Sequence, residues 1–281
     1  MTESVHSGAQ GAAAGRARQA GRKASAAGRW ARYEHVVLAV ALGVGSLALW
    51  EFLSQKAIIE PVLFPPPTKV ASAFWFLVRA DFFPKHFWIT MLEIAVGFLL
   101  GAAIGLLLGI LLATVRLIRK TLYPYVIAFQ ALPKVVLAPL FIIWFGFGPA
   151  SKIATALAIC FFPVMLNTVV GLQMVEEDAL KLMRSLRASK WQVFTKLRFP
   201  SALPHIFAGL KTSLTFAMIG AIVAEFLIAA DNGLGRLVQI FQLQIQVHMM
   251  LAVVLIVSVL GIVGVWLMDI LDRRVVFWRN N

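Results

Sequence analysis

Six stretches of this chain, at approximately 36–54, 89–114, 122–145, 153–175, 206–229 and 250–271, are apolar and long enough to cross a bilayer, which takes about 20 residues of helix. Lipid offers no hydrogen bonds to the backbone, so each stretch must satisfy its own amides and is read as a helix. Composition points the same way. Apolar residues make up 60% of the 281 and charged residues 14%, against roughly 45–50% and about 25% for a soluble domain. The expected fold is an all-α membrane protein with about six transmembrane helices. Pro133 and Pro139 interrupt the third stretch, so that helix is expected to be kinked or broken where neighbouring protein covers the freed backbone.

A net charge of +13 would suit a nucleic-acid partner or a set of cytoplasmic loops. The distribution favours the loops. With the N-terminal tail inside, 19 of the 26 Lys and Arg residues fall on the cytoplasmic side, which predicts both termini inside and no nucleic acid. The outer loops hold Lys56, Lys69, Arg79, Lys85, Lys152 and Arg236, and Lys134 falls within the third span. Residues 1–34, rich in Gly, Ala, Ser and Arg, have too few large apolar side chains to offset their ordering entropy. They are read as a disordered basic cytoplasmic tail, ahead of a transmembrane domain over 35–281. The single cysteine, Cys160, excludes an intrachain disulfide and a zinc site.

In the second stretch Gly97, Gly101, Gly105 and Gly109 recur every fourth residue and so share one helix face. Without side chains that face admits a close neighbour, within the subunit or from a second copy.

The connection between the fourth and fifth stretches is the informative one. It reads EEDALKLMRSLRASKWQVFTKLRFPSALPHIFAGLKTSL from Glu176, where a simple connection needs only a few residues. Three acids open it, at the end where a helix dipole favours negative charge. Leu182, Leu186, Val193, Phe194 and Leu197 supply an apolar face, and Lys181, Arg184, Arg187 and Lys190 a basic one. Pro200 and Pro204 are expected to break the helix. Three uses remain open on these residues alone: docking into a groove on a soluble partner, lying on anionic lipid, or serving as a solvated linker.

The segment resembles the cytoplasmic signature loop of the permease subunits of binding-protein-dependent ATP-binding-cassette importers, commonly written EAA-x3-GA-x8-I-x-L-P. The matching positions are Lys181, Leu182 and Met183, then Arg187 and Ala188, then Leu197, Phe199 and Pro200. The words RSLRASKWQVFTKLRFPSALP, LFPPPTKV, ALPKVVLAPLFIIWFGFGP and AIVAEFLIAADNGLG are similar to the nitrate, sulfonate and taurine branch. The sequence departs from the pattern at Lys181, where the family usually has Glu, and at Arg187, where it usually has Gly. A left-handed Arg would cost about 1–2 kcal/mol, so the turn is expected to be right-handed or to be taken up by Ala188 and Ser189.

The resemblance implies a type I importer permease in the bacterial plasma (inner) membrane. It would act with a second permease subunit, two cytoplasmic ATPase subunits that bind ATP and Mg, and an external or periplasmic substrate-binding protein. The loop over 176–204 would couple ATP hydrolysis to the spans, with Lys181, Leu182, Leu186, Arg187, Ala188, Trp191, Phe194 and Pro200 as its working residues. Leu182, Leu186, Trp191 and Phe194 are the candidate apolar knobs; Trp191 could instead anchor at the lipid interface. The implied cargo is a small solute, such as a sulfonate, nitrate or an aromatic vitamin precursor. The chain has no G-x-x-x-x-G-K-[ST] phosphate loop and no H-E-x-x-H zinc motif, so neither ATP hydrolysis nor metalloprotease chemistry is expected of it. A channel or adaptor without ATP coupling is the alternative.

Polar residues inside spans are costly and face protein or water. Gln130, Lys134, Asn167 and Glu225 are therefore candidates for the translocation pathway. For each a structural role competes: Lys134 could reach the interface along its stem, and Glu225, like Glu93, could make a structural hydrogen bond or salt bridge.

Overall fold

The computed structural model describes residues 36–227 and 232–280, and among them every regular element is helical. The chain divides into two units, residues 1–68 and 69–281. The tail expected over residues 1–34 lies outside the described residues.

In the first unit, helix α1 (Val36–Gln55) leaves side chains such as Leu42, Val44 and Leu47 exposed. An all-round apolar surface of this kind is suited to lipid. Beyond it Glu51 accepts hydrogen bonds from the Thr68 amide at 3.0 Å, from the Thr68 hydroxyl at 2.7 Å and from Gln55. The Ser54 hydroxyl donates to the Phe64 carbonyl at 2.6 Å. Helix α2 (Pro67–Arg79) begins with proline at its first position, where no amide is needed.

The second unit is built on four long helices: α3 (Phe83–Thr114), α6 (Pro149–Gln173), α9 (Phe199–Leu227) and α11 (Val247–Val275). Glycines set their directions. A Cβ added at Gly97 would fall 2.6 Å from the Ala156 Cβ, and one at Gly109 2.6 Å from the Thr168 Cβ, with Gly101 facing Cys160 and Gly105 facing Val164. Numbers rise together along both helices, so α3 and α6 run parallel. Gly209 and Gly220 of α9 meet Asn167 and Ala156 of α6, so α9 runs antiparallel to α6. Gly261 and Gly264 of α11 meet Met218 and Leu214, so α11 is antiparallel to α9.

Two parallel neighbours need a return segment between them. It consists of α4 (Arg116–Gln130), a 3-10 turn (Lys134–Val136) and α5 (Leu137–Phe145), and its axis bends by 83° at the break. The interruption expected from the prolines is therefore a sharp corner. Helix α4 buries none of its residues within the chain.

At one end of the bundle, Val70, Ala73 and Leu77 of α2 pack with Phe83, with Leu234 and Leu237 of α10 (Leu234–Leu243), and with Val253 of α11. At the other end, Leu172, Ala202 and Ile206 pack with Leu106, Ile110, Phe194 and Phe199. There Lys211 bridges Asp269 at 2.6 Å and Asp272 at 2.7 Å, tying α9 to α11. The start of α4, the α6–α9 connection and the last turns of α11 thus share one end, which carries Arg116, Arg119, Lys120, the bases from Lys181 to Arg198, Lys211, Arg273 and Arg274.

Several boundaries differ from expectation, α3 beginning at Phe83 rather than 89 and α4 at Arg116 rather than 122. Helix α6 begins at Pro149 rather than 153, and α9 continues the preceding helix instead of following a break: one helical rod runs from Lys190 to Leu227.

Candidate functional site

The α6–α9 connection folds into two short helices joined by a tight turn. Glu177 and Asp178 occupy the first turn of α7 (Glu177–Ser185) and Arg184 the last, in the order the helix dipole favours. Arg187 ends it in the left-handed conformation, φ +53°. The Arg187 amide donates to the Arg184 carbonyl at 2.9 Å and the Ala188 amide to the Met183 carbonyl at 3.0 Å. This pair of bonds is a Schellman termination. The expectation of a right-handed turn, or of a bend at Ala188 and Ser189, is thereby corrected. The motif needs one left-handed residue, and Ser189 is already committed as an N-cap. The Ser189 hydroxyl accepts from the Gln192 amide at 3.2 Å while the Gln192 side chain accepts from the Ser189 amide at 2.8 Å, a reciprocal cap that opens α8 (Lys190–Val193).

Arg187→Gly is therefore expected to stabilise the turn by about 1 kcal/mol, the left-handed penalty less the added freedom of the unfolded chain. Amide hydrogen exchange of α7 would read it. Faster exchange in the variant would contradict the assignment.

Between α8 and α9 lies a π turn, Phe194–Arg198, in which the Phe199 amide donates to the Phe194 carbonyl. A five-residue turn widens the helix just where Pro200 offers no amide. The helix accommodates its prolines here instead of ending, which corrects the expected break at Pro200 and Pro204. Leu182, Leu186 and Trp191 are 61%, 68% and 72% exposed. Phe194 is not presented with them. It turns inward against Phe199 at 5.9 Å and joins the cluster around Ala202 and Ile206. Lys181 pairs with Asp178 at 2.8 Å, both exposed.

A buried polar cluster occupies the opposite end. Lys152 donates to Glu93 at 2.7 Å, their side chains 5% and 0% exposed. Lys152 is thus no outer-loop charge; the earlier start of α6 carries it inside the bundle. The Glu225 carboxylate accepts from the Thr90 hydroxyl at 2.6 Å and from the Gly235 amide at 2.7 Å. Thr90 in turn accepts from the Leu234 amide at 2.8 Å, and His86 Nδ1 from the Gly233 amide at 3.0 Å. These bonds satisfy the free amides at the start of α10, so α3 and α9 hold α10 by its N-terminus. Gly233 has φ +132°, and a Cβ there would strike the Glu225 carboxylate.

The candidate pathway residues are not gathered in one place. Gln130 is exposed at the end of α4. Lys134 lies at the corner with its Nζ 4.5 Å from the centroid of the Phe162 ring. Asn167 donates to the Pro163 carbonyl of its own helix at 2.8 Å. Glu225 belongs to the buried cluster. Sequence reasoning missed Lys152, Thr90 and His86. For His86 and Thr90 the one signal was their helical spacing with Glu93 along α3, and Lys152 carried none.

Parallel and antiparallel spans around a sharply broken one, with a structured two-helix connection at one end, make this a multi-pass α-helical membrane protein. Residues 105–277 match the family model of the binding-protein-dependent transport system inner membrane component. Relatives agree. The chain is 33% identical over 235 residues to the formylaminopyrimidine transport permease protein ThiX of Halalkalibacterium halodurans, covering 84% of this chain and 93% of that one. It is 31% identical to the putative aliphatic sulfonates transport permease protein SsuC of Bacillus subtilis, covering 84% and 85%. It is 27% identical to the taurine transport system permease protein TauC of Escherichia coli, covering 90% and 94%. A chain of the MetNI methionine ABC transporter, in inward-facing form, shares the fold with a TM-score of 0.60 at 20% identity, over 72% of this chain and 96% of that one. The chain belongs to the binding-protein-dependent inner-membrane permease family and is a transport permease subunit.

Proposed function

We propose that this subunit, paired with a second copy of itself, forms the translocation pathway of an importer in a bacterial inner membrane, driven by ATP hydrolysed on separate ATPase chains. ATP and Mg would be bound there, and an external binding protein would deliver the solute. The solute is a small molecule, with a sulfonate or another small organic or inorganic anion fitting the relatives' names. The exposed apolar residues Leu122, Tyr125 and Phe129 of α4 share one helix side and offer a face for the second copy.

The observation that carries the reading is the continuity of the rod from Lys190 to Leu227. Its first turn bears exposed Trp191, and the capped turn before it holds exposed Leu182 and Leu186. A partner gripping Trp191 would move α9 as part of the same rod, and one gripping Leu182 and Leu186 would act on it through the capped turn. The basic residues beside them, Arg187 among them, would face acidic side chains on the ATPase.

In proteoliposomes carrying the whole transporter, Arg187→Glu is expected to leave ATP hydrolysis running while transport falls at least tenfold. Unchanged transport per ATP would remove the coupling role from this turn. Leu182→Asp is expected to go further and release the ATPase from the membrane subunit, as followed by co-purification. Retention of the ATPase at the wild-type ratio would show that Leu182 is outside the contact.

A further inference from the structure

A groove of about 800 Å³ lies between the end of α3 and the α7–α8 turn. Its lining holds three cations, Arg184, Lys190 and Arg198, and no carboxylate among the described residues. Arg198 sits in the π turn, and its Nε is buried with no hydrogen-bond partner. Apolar and aromatic walls, Ile110, Leu180, Trp191 and Phe194, complete the groove. Trp191 and Phe194 stack with ring centroids 6.0 Å apart.

The depth of the groove is set by α3. That helix has 32 residues, roughly 48 Å at 1.5 Å per residue, against a hydrocarbon core of about 30 Å. Its last turns, Ile110 to Thr114, run directly into Arg116, Arg119 and Lys120, bases of the kind that mark the cytoplasmic headgroup zone. A groove there meets lipid phosphate on one side and acyl chain on the other. Its chemistry matches both: a cluster of unopposed cations for the phosphate, and an apolar wall with an interfacial indole for the chain.

We infer that this groove binds the headgroup of an anionic phospholipid, with Arg184, Lys190 and Arg198 around the phosphate and Trp191 at the headgroup boundary. The bound lipid would brace the α7–α8 turn against α3. Trp191 is shared with the proposed coupling surface, but the three cations line the groove whereas Leu182 and Leu186 do not, so lipid binding is read on the chain without its ATPase.

The full chain, purified in mild detergent and stripped of lipid, would be titrated with dioleoylphosphatidylglycerol or dioleoylphosphatidylcholine and followed by native mass spectrometry. One phosphatidylglycerol per chain is expected to be retained at a concentration at least tenfold below that for phosphatidylcholine. Equal retention of the two lipids in the unaltered chain would overturn the inference without any variant. The preference is expected to vanish in the triple variant Arg184→Gln, Lys190→Gln, Arg198→Gln. It is expected to persist in Arg116→Gln, Arg119→Gln, Lys120→Gln, which removes three bases outside the groove. Equal loss in both would reduce the effect to net charge and overturn the site. Displacement of the lipid by 10 mM inorganic phosphate, or by the partner ATPase, would reassign the cations to free anion or to protein.

Discussion

Replacing Lys152 with alanine is expected to destabilise the bundle by about 3–5 kcal/mol, the range for removing one member of a buried ion pair. Both side chains are buried, and Lys152 donates directly to Glu93. The loss is the exposure of one charge to an apolar surround. The Glu93 carboxyl also lies beside that of Glu225, so an uncompensated charge there would disturb the hold on α10. A second substitution separates the pair from its geometry. Glu93→Leu with Lys152→Met removes both charges at similar volume and is expected to recover most of the lost stability, since a well-packed apolar replacement of a buried pair is often neutral. Thermal unfolding in detergent, followed by near-ultraviolet circular dichroism, would measure both. A Lys152→Ala midpoint within error of the unaltered chain would show that the pair holds nothing together.

The second large effect concerns the contact of α3 with α6. Gly109→Leu is expected to cost more than the roughly 1–3 kcal/mol of ordinary overpacking and to lower the yield of folded protein. A Cβ at Gly109 would come within 2.6 Å of the Thr168 Cβ and 2.8 Å of the Met165 carbonyl oxygen. Backbone cannot step aside as a flexible side chain can, so the two helices would have to separate. Gly43 supplies the contrast. It lies in α1 with nothing within 4 Å of an added Cβ, and Gly43→Ala is expected to be neutral or to gain up to about 1 kcal/mol from helix propensity. Size-exclusion profile and thermal midpoint would compare the two. Similar behaviour of both variants would contradict the close approach.

The spans were legible because lipid imposes a length and an apolar composition that no local detail can hide. The glycine step was legible for a related reason: a four-residue period on a helix marks a face, and that face meets α6. Its partner was not legible, since periodicity along one helix carries no information about which neighbour is approached. Lys152 was misread for a similar reason. A charge three residues beyond Pro149 has the pattern of a loop, and only the fold brings Glu93 to it. At Pro200 and Pro204 the local rule for helix breaking gave way to a π turn and to packing of Phe194, Phe199 and Ala202 against α3 and α6. Arg187 shows the reverse case. The signature pattern marks a turn at that position, and the chain keeps the turn with a residue that is strained in it.

If this chain works as the membrane half of a separately powered importer, its ATPase should travel with it. Affinity purification of the tagged chain from its native membranes in mild detergent tests it most directly. A stoichiometric ATPase bearing a phosphate loop is expected to co-purify, with turnover that rises when an external binding protein loaded with its ligand is added. Recovery of the chain without an ATPase across several mild detergents, or with an ATPase indifferent to every binding protein, would contradict it.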